Sequence, residues 1–253
     1  MTLRLAMWCA PRTVSTALLR SFVQRADCEG IDEPLYAHYL AVTGKQHPMQ
    51  AEILASQSQD PRELLQDVLL GPTAAPLQFV KHMAHHLVGG FDPRTGAQAC
   101  AYLDAPGVVH AFLVREPRAM LASLHRALGP LERFDTALGQ QVAMFRHLQA
   151  TRGEDPLVID SREVLQEPAG MLRALCERIG LEFDPAMLAW EPGRHPSFGV
   201  WAPHWYANVE KSSGFEARAE KAVPLPEELE PLLDWAAPLY AELAAARLKP
   251  AAA

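Results

Sequence analysis

The sequence predicts one three-layer α/β/α domain built on a central parallel sheet of about five strands. Two observations carry that prediction. Five short apolar runs, at residues 3–8, 28–32, 77–81, 108–114 and 157–160, recur along the 253 residues, several of them apolar on both faces. Longer stretches with helical spacing separate them. Strands apolar on both faces must be covered on both sides, and helices between successive strands supply that cover in a parallel sheet. With 49% hydrophobic and 21% charged residues the chain has the composition of a globular protein rather than a disordered one.

The elements follow in order. After the first run, Val14, Ala17, Leu18 and Phe22 recur at i, i+3, i+4 and i+8, the spacing of an amphipathic helix. After the fourth run, Glu116-Pro117 opens a helix with proline at its first position, and Met120, Leu121 and Leu124 form its apolar stripe. Residues 133–152 and 168–180 read as further helices, the second stopped by Gly180. Residues 190–215 hold Trp190, Phe198, Trp201, Trp205, Tyr206 and Phe215 among prolines and glycines, without periodicity. A long aromatic-rich loop of this kind reads as a lid or binding loop, or as a surface segment pinned by its aromatics. Residues 226–248 form a last helix, kinked near Pro231 and Pro238, and residues 250–253 a frayed tail. The whole is a single domain over residues 1–249.

The net charge of −7 argues against nucleic acid and anionic membranes as partners, since both need a basic face. An anionic ligand must then be caught by a local cluster of Arg, Lys and backbone amides. The four cysteines, Cys9, Cys28, Cys100 and Cys176, lack metal-ligand spacing and read as thiols of a reducing compartment. The N-terminal apolar run is too short for a signal peptide, and no run approaches the length of a membrane span, so the expected location is cytoplasmic. The oligomeric state is left open, a homodimer included.

Two segments carry candidate chemistry. The turn Ala10-Pro11-Arg12-Thr13-Val14-Ser15-Thr16 joins the first strand to the first helix. A helix N-terminus offers unpaired amides and a positive dipole end, to which Arg12 adds a guanidinium and Thr13, Ser15 and Thr16 add hydroxyls. The lysine and second glycine of a Walker A loop are missing. Alone, the segment reads equally as an ordinary helix start. The second segment is Phe112-Leu113-Val114-Arg115-Glu116-Pro117-Arg118, with Ser123 eight residues beyond Arg115. It sets an Arg at a strand's C-terminal end and a Ser two turns along the next helix, at the edge where open α/β sheets bind ligands.

With these motifs the sequence resembles the sulfotransferase family, which uses 3′-phosphoadenosine 5′-phosphosulfate (PAPS). The turn at residues 11–16 is similar to that family's 5′-phosphosulfate loop, with Val14 where the family usually has glycine. Phe112 to Ser123 is similar to its 3′-phosphate motif, and residues 157–168, running on to Cys176-Glu177-Arg178-Ile179-Gly180-Leu181, to its next strand and helix. The resemblance covers most of residues 3–215 in the right order. It implies a P-loop-like fold and a metal-free enzyme that moves a sulfuryl group from PAPS to a hydroxyl or amine of a small acceptor. Arg12, Thr13, Val14, Ser15, Thr16 and Lys81 are then expected at the 5′-phosphosulfate, and Arg115 and Ser123 at the 3′-phosphate. Lys211, Ser212 and Ser213 are the candidates for a clasping loop.

Glu33, after the second strand, is placed to deprotonate the acceptor. His82, His85 and His86, in the string Lys81-His82-Met83-Ala84-His85-His86, are the rival bases. Lys81 is expected to stabilise the bridging oxygen, and Arg12 shares the catalytic role. Two other readings stay open: a small-molecule P-loop kinase, and a catalytically silent nucleotide-binding protein on the same scaffold.

Overall fold

The computed structural model describes residues 2–153, 156–216 and 224–251. Five strands form one sheet: β1 (Leu3–Cys9), β2 (Cys28–Asp32), β3 (Leu77–Met83), β4 (Val108–Val114) and β5 (Leu157–Asp160). Their order is β2-β3-β1-β4-β5, and every described pairing is parallel. Leu5–Cys9 of β1 and Ala111–Val114 of β4 are buried on both faces, which is why those residues are continuously apolar.

Alternation along β1 divides the core in two. Leu5, Met7 and Cys9 face Leu18, Leu19 and Phe22 of the helix Ser15–Phe22 and Leu172 and Leu175 of the helix Pro168–Arg178. Ala6 and Trp8 face the other way, toward Met120 and Leu121 of Pro117–Leu128, Phe145 of Leu138–Arg152 and Leu243 of Glu230–Ala245. The three layers follow from this period-two alternation.

Four expected boundaries are corrected. β3 runs two residues past Lys81, because its register on β1 continues to Cys9↔Met83. The helix expected over residues 133–152 is broken: Arg133–Thr136 is a short 3₁₀ turn, and Ala137, at φ 64°, resets the chain before Leu138. Pro231 sits in the first turn of Glu230–Ala245, where its missing N–H costs nothing, so only Pro238 lies inside the helix. Beyond it the chain passes β5, where the Leu248 N–H donates to Val158, and reaches the helix Pro168–Arg178, where the Ala251 N–H donates to Gly170. Of the expected tail, Ala252 and Ala253 lie outside the described residues.

Candidate active site

A cleft of about 700 Å³ opens at the carboxyl edge of the sheet, a size that accommodates a nucleotide-sized ligand. The loops following β1, β2, β3, β4 and β5 all contribute to its lining. One end is basic. The turn after β1 places Arg12 at φ 59°, a left-handed conformation that a non-glycine residue holds only when its surroundings enforce it. Those surroundings are the two residues of the second motif. Arg115 Nη1 donates to the Arg12 carbonyl at 2.6 Å, and Arg12 Nε donates to Ser123 Oγ at 3.2 Å. The spacing of eight between Arg115 and Ser123 thus clamps the first motif from both sides. Arg126, one turn beyond Ser123, lines the same end. Partial burial, with a smaller contribution from the like charge of Arg126, pulls the Arg12 guanidinium below its ordinary pKa.

Val14 stands before the helix Ser15–Phe22 at φ −87°, so valine is unstrained there and no left-handed residue is required. No side chain caps that helix start. Thr13 Oγ1 donates to Ala10 at 2.9 Å, Ser15 is buried beside the Cys9 thiol, and Thr16 lines the cleft.

The other end holds a sealed charge cluster. Lys81 Nζ donates to Asp32 Oδ1 at 2.9 Å, to Glu33 Oε1 at 2.7 Å and to the Tyr206 hydroxyl at 2.6 Å. An ammonium has three donors, and all three are taken. Burial pulls Lys81 down, but the two carboxylates outweigh it, and its pKa is raised overall. Glu33, at φ 42°, is pushed up by burial against the pull of Lys81, with Asp32 adding to the push. Its second oxygen, Oε2, lies 4.0 Å from His86 Nδ1. His86 is stacked between Tyr36 and Tyr39, at 4.6 and 4.7 Å between ring centres. Burial keeps His86 well below its ordinary pKa and drives His85 to about 3, so both are neutral at pH 7.

A sulfotransferase domain family model matches residues 3–247, nearly the whole chain. The chain belongs to the sulfotransferase domain family. Solved sulfotransferases share its fold. The sulfotransferase domain from the curacin biosynthetic pathway superposes at a TM-score of 0.56 with 13% identity, over 98% of this chain and 99% of that one. The sulfotransferase from Alicyclobacillus acidocaldarius gives 0.58 with 12% identity over 97% and 95%. Two Arabidopsis thaliana proteins, branched-chain-amino-acid aminotransferase-like proteins 1 and 2, are each 33% identical over 233 residues. Those residues are 92% of this chain, which spans 40% of the length of each of these relatives.

Within this sulfotransferase domain the cleft brings together Arg12, Thr13, Val14, Ser15, Thr16, Glu33, Lys81, Arg115 and Ser123. His85 and His86 also line it; His82 faces the opposite side of the sheet, stacked on Trp8. Of the expected clasp, Ser212 lines the cleft, but its hydroxyl already accepts from Trp190 Nε1 and donates to Val209. Lys211 and Ser213 lie outside the described lining. In the aromatic stretch, Trp190, Phe198, Trp201 and Tyr206 are buried, with Trp201 donating to the Tyr206 hydroxyl at 2.9 Å. Asp32 and Arg126 were not singled out from sequence, though each lies close to a residue that was, Glu33 and Ser123. Tyr206 was named only as one aromatic of the expected lid or binding loop, and nothing in the sequence signals its contact with Lys81. Among the described residues no group of three His, Cys, Asp or Glu is arranged to hold a metal ion, and no helix is long and apolar enough to cross a membrane.

Proposed function

We propose that the domain transfers a sulfuryl group from PAPS to a hydroxyl or amine of a small acceptor, with Glu33 as general base. The observation that carries this reading is the mutual clamp of Arg12, Arg115 and Ser123 at one end of a cleft whose other end holds Glu33. The basic end takes the nucleotide's phosphates: Arg115, Ser123 and Arg126 toward the 3′-phosphate, and Arg12 with the uncapped amides of residues 13–16 toward the 5′-phosphosulfate.

The acceptor sits beside Glu33 Oε2, against the neutral His86. Its oxygen or nitrogen attacks sulfur, the bond between sulfur and the 5′-phosphate oxygen breaks, and the acceptor's proton passes to Glu33. Once protonated, Glu33 no longer competes for the Lys81 ammonium, and the donor that Oε1 held becomes available to the departing oxygen. Base and leaving-group stabiliser are coupled through one contact of 2.7 Å. The remaining catalysis is positioning and fixed positive charge.

The test is binding and turnover together. At 100 times its Kd a ligand specific for the folded state adds about 2.7 kcal/mol of stability. The melting temperature rises with 3′-phosphoadenosine 5′-phosphate and rises less with AMP, and labelled sulfate passes from PAPS to an acceptor pool. Equal shifts with both nucleotides, or a response only to ATP with Mg²⁺, contradict the proposal.

A further inference from the structure

We infer that Tyr206 and Asp32 are positioning residues that set how readily Glu33 accepts a proton, by competing over the single phenolic hydrogen of Tyr206. The inference rests on the reading of Glu33 as the base, and its test is independent of turnover.

The geometry poses a counting problem. The Tyr206 oxygen lies 2.9 Å from each carboxylate oxygen of Asp32 and 3.0 Å from Glu33 Oε1. It also accepts from Lys81 and from Trp201 Nε1, which uses both of its lone pairs. One hydrogen remains, and two carboxylates face it. The two are unequal in their other support: Asp32 also receives the Gly199 N–H at 3.0 Å and one Lys81 donor, whereas Glu33 Oε1 has Lys81 alone beside Tyr206. Whichever carboxylate takes the hydrogen is favoured in its charged form, and the other is favoured protonated.

The charge balance sharpens the competition. Asp32 and Lys81 have side chains about 1% exposed and Glu33 about 9%, so two carboxylates share one ammonium with little contact with water. The groups that face Glu33 are Lys81 from β3, Asp32 from β2, Tyr206, His86 after β3, Tyr36 from the helix Tyr36–Thr43 and, farther off, the Cys9 thiol. Burial holds the thiol and both phenols above their ordinary pKa values and His86 below its own. All four are therefore neutral near pH 7, and the charges acting on Glu33 are Lys81 and Asp32. Tyr206 is the neutral switch between them. It lies in residues 190–215, so that segment reaches the base through one hydroxyl.

The two residues act with opposite sign. Tyr206→Phe removes the donor that Asp32 and the charged Glu33 share, and raises the Glu33 titration midpoint. Asp32→Asn removes a neighbouring negative charge and also frees the Tyr206 hydrogen and the Lys81 ammonium for Glu33, so it lowers the midpoint. The measurement is a pH titration of glutamate side-chain carboxyl carbons by NMR in ¹³C-glutamate-labelled protein, with the Glu33 signal assigned by its absence in Glu33→Gln. Tyr206→Phe moves the midpoint up by about one pH unit or more, and Asp32→Asn moves it down by a similar amount. An unmoved midpoint in Tyr206→Phe, or shifts of the same sign in both variants, overturns the inference. If Tyr206→Phe does not fold, Asp32→Asn decides alone: no downward shift overturns it. Failure of the base reading looks different, because Glu33→Gln then turns over at the wild-type rate whatever the NMR titration shows.

Discussion

Lys81 and His82 are consecutive residues of β3, each 1% exposed, and the sheet sends them to opposite faces. On the cleft face Lys81 meets Asp32, Glu33 and Tyr206 and stays charged, because the carboxylates outweigh the cost of burial. On the other face His82 meets only rings. It stacks on Trp8 at 4.0 Å and 18°, its Nε2 lies 3.3 Å from the Tyr102 hydroxyl, and Trp8 Nε1 donates to His110 Nδ1 at 3.0 Å. With no opposite charge at hand, burial pushes His82 well below its ordinary pKa; burial also takes His110 to about 3, outweighing the pull of Asp104, and both are neutral. Burial alone does not mark a functional residue. Burial that a charge survives, in the lining of a cleft, is what sets Lys81 apart from His82.

The sharpest way to break the comparison is to exchange the two faces' roles. Glu33→Gln keeps the shape of the cluster but cannot take the acceptor's proton. Turnover falls by about 10²–10⁴-fold while donor affinity is nearly unchanged. His82→Asn on the sealed face has only a modest effect on rate. If Glu33→Gln stays active and His85→Asn or His86→Asn is dead yet binds donor, the base is a cleft histidine and the carboxylate assignment falls.

Acid stability sharpens the other half. A histidine whose folded pKa lies near 3 and whose unfolded pKa is about 6.5 is neutral in both states at pH 7. As the pH falls below 6.5 the unfolded chain takes up the proton first, so stability drops with pH down to about 3. Between pH 7.5 and 5.0 one such residue costs about 2 kcal/mol. Urea unfolding at the two pH values should show a loss in the wild type that is smaller by about that amount in His110→Asn. An identical loss in both proteins would remove His110 from the account.

How much of this could be read from sequence follows the range of the interactions. β2, β4 and β5 begin and end where their apolar runs do, since a run's edges are local facts. The β1 turn and the Arg115–Ser123 spacing were also legible, being short motifs on the segments that follow β1 and β4. The break at Ala137 was not, because alanine carries no turn signal and its positive φ is imposed by packing. Nor was Tyr206, whose partners Asp32, Glu33 and Lys81 lie more than a hundred positions earlier in the chain. The aromatic stretch was noticed for its composition, but a hydroxyl reaching Lys81 is a product of the fold. That the three donors of Lys81 are all held by Asp32, Glu33 and Tyr206 is likewise a product of the fold.

An effect of similar size is the most direct test of the central claim, that the basic end of the cleft reads a nucleotide bisphosphate. Arg115→Ala removes a charge-assisted contact worth roughly 1.5–3 kcal/mol, which is about tenfold or more in affinity. Calorimetric titration of wild type and Arg115→Ala with 3′-phosphoadenosine 5′-phosphate and with AMP separates reading of the 3′-phosphate from general weakening. The account predicts that the wild type prefers the bisphosphate and that Arg115→Ala loses most of that preference while holding AMP nearly as before. Ser123→Ala loses less of it. Equal weakening toward both ligands would contradict the account.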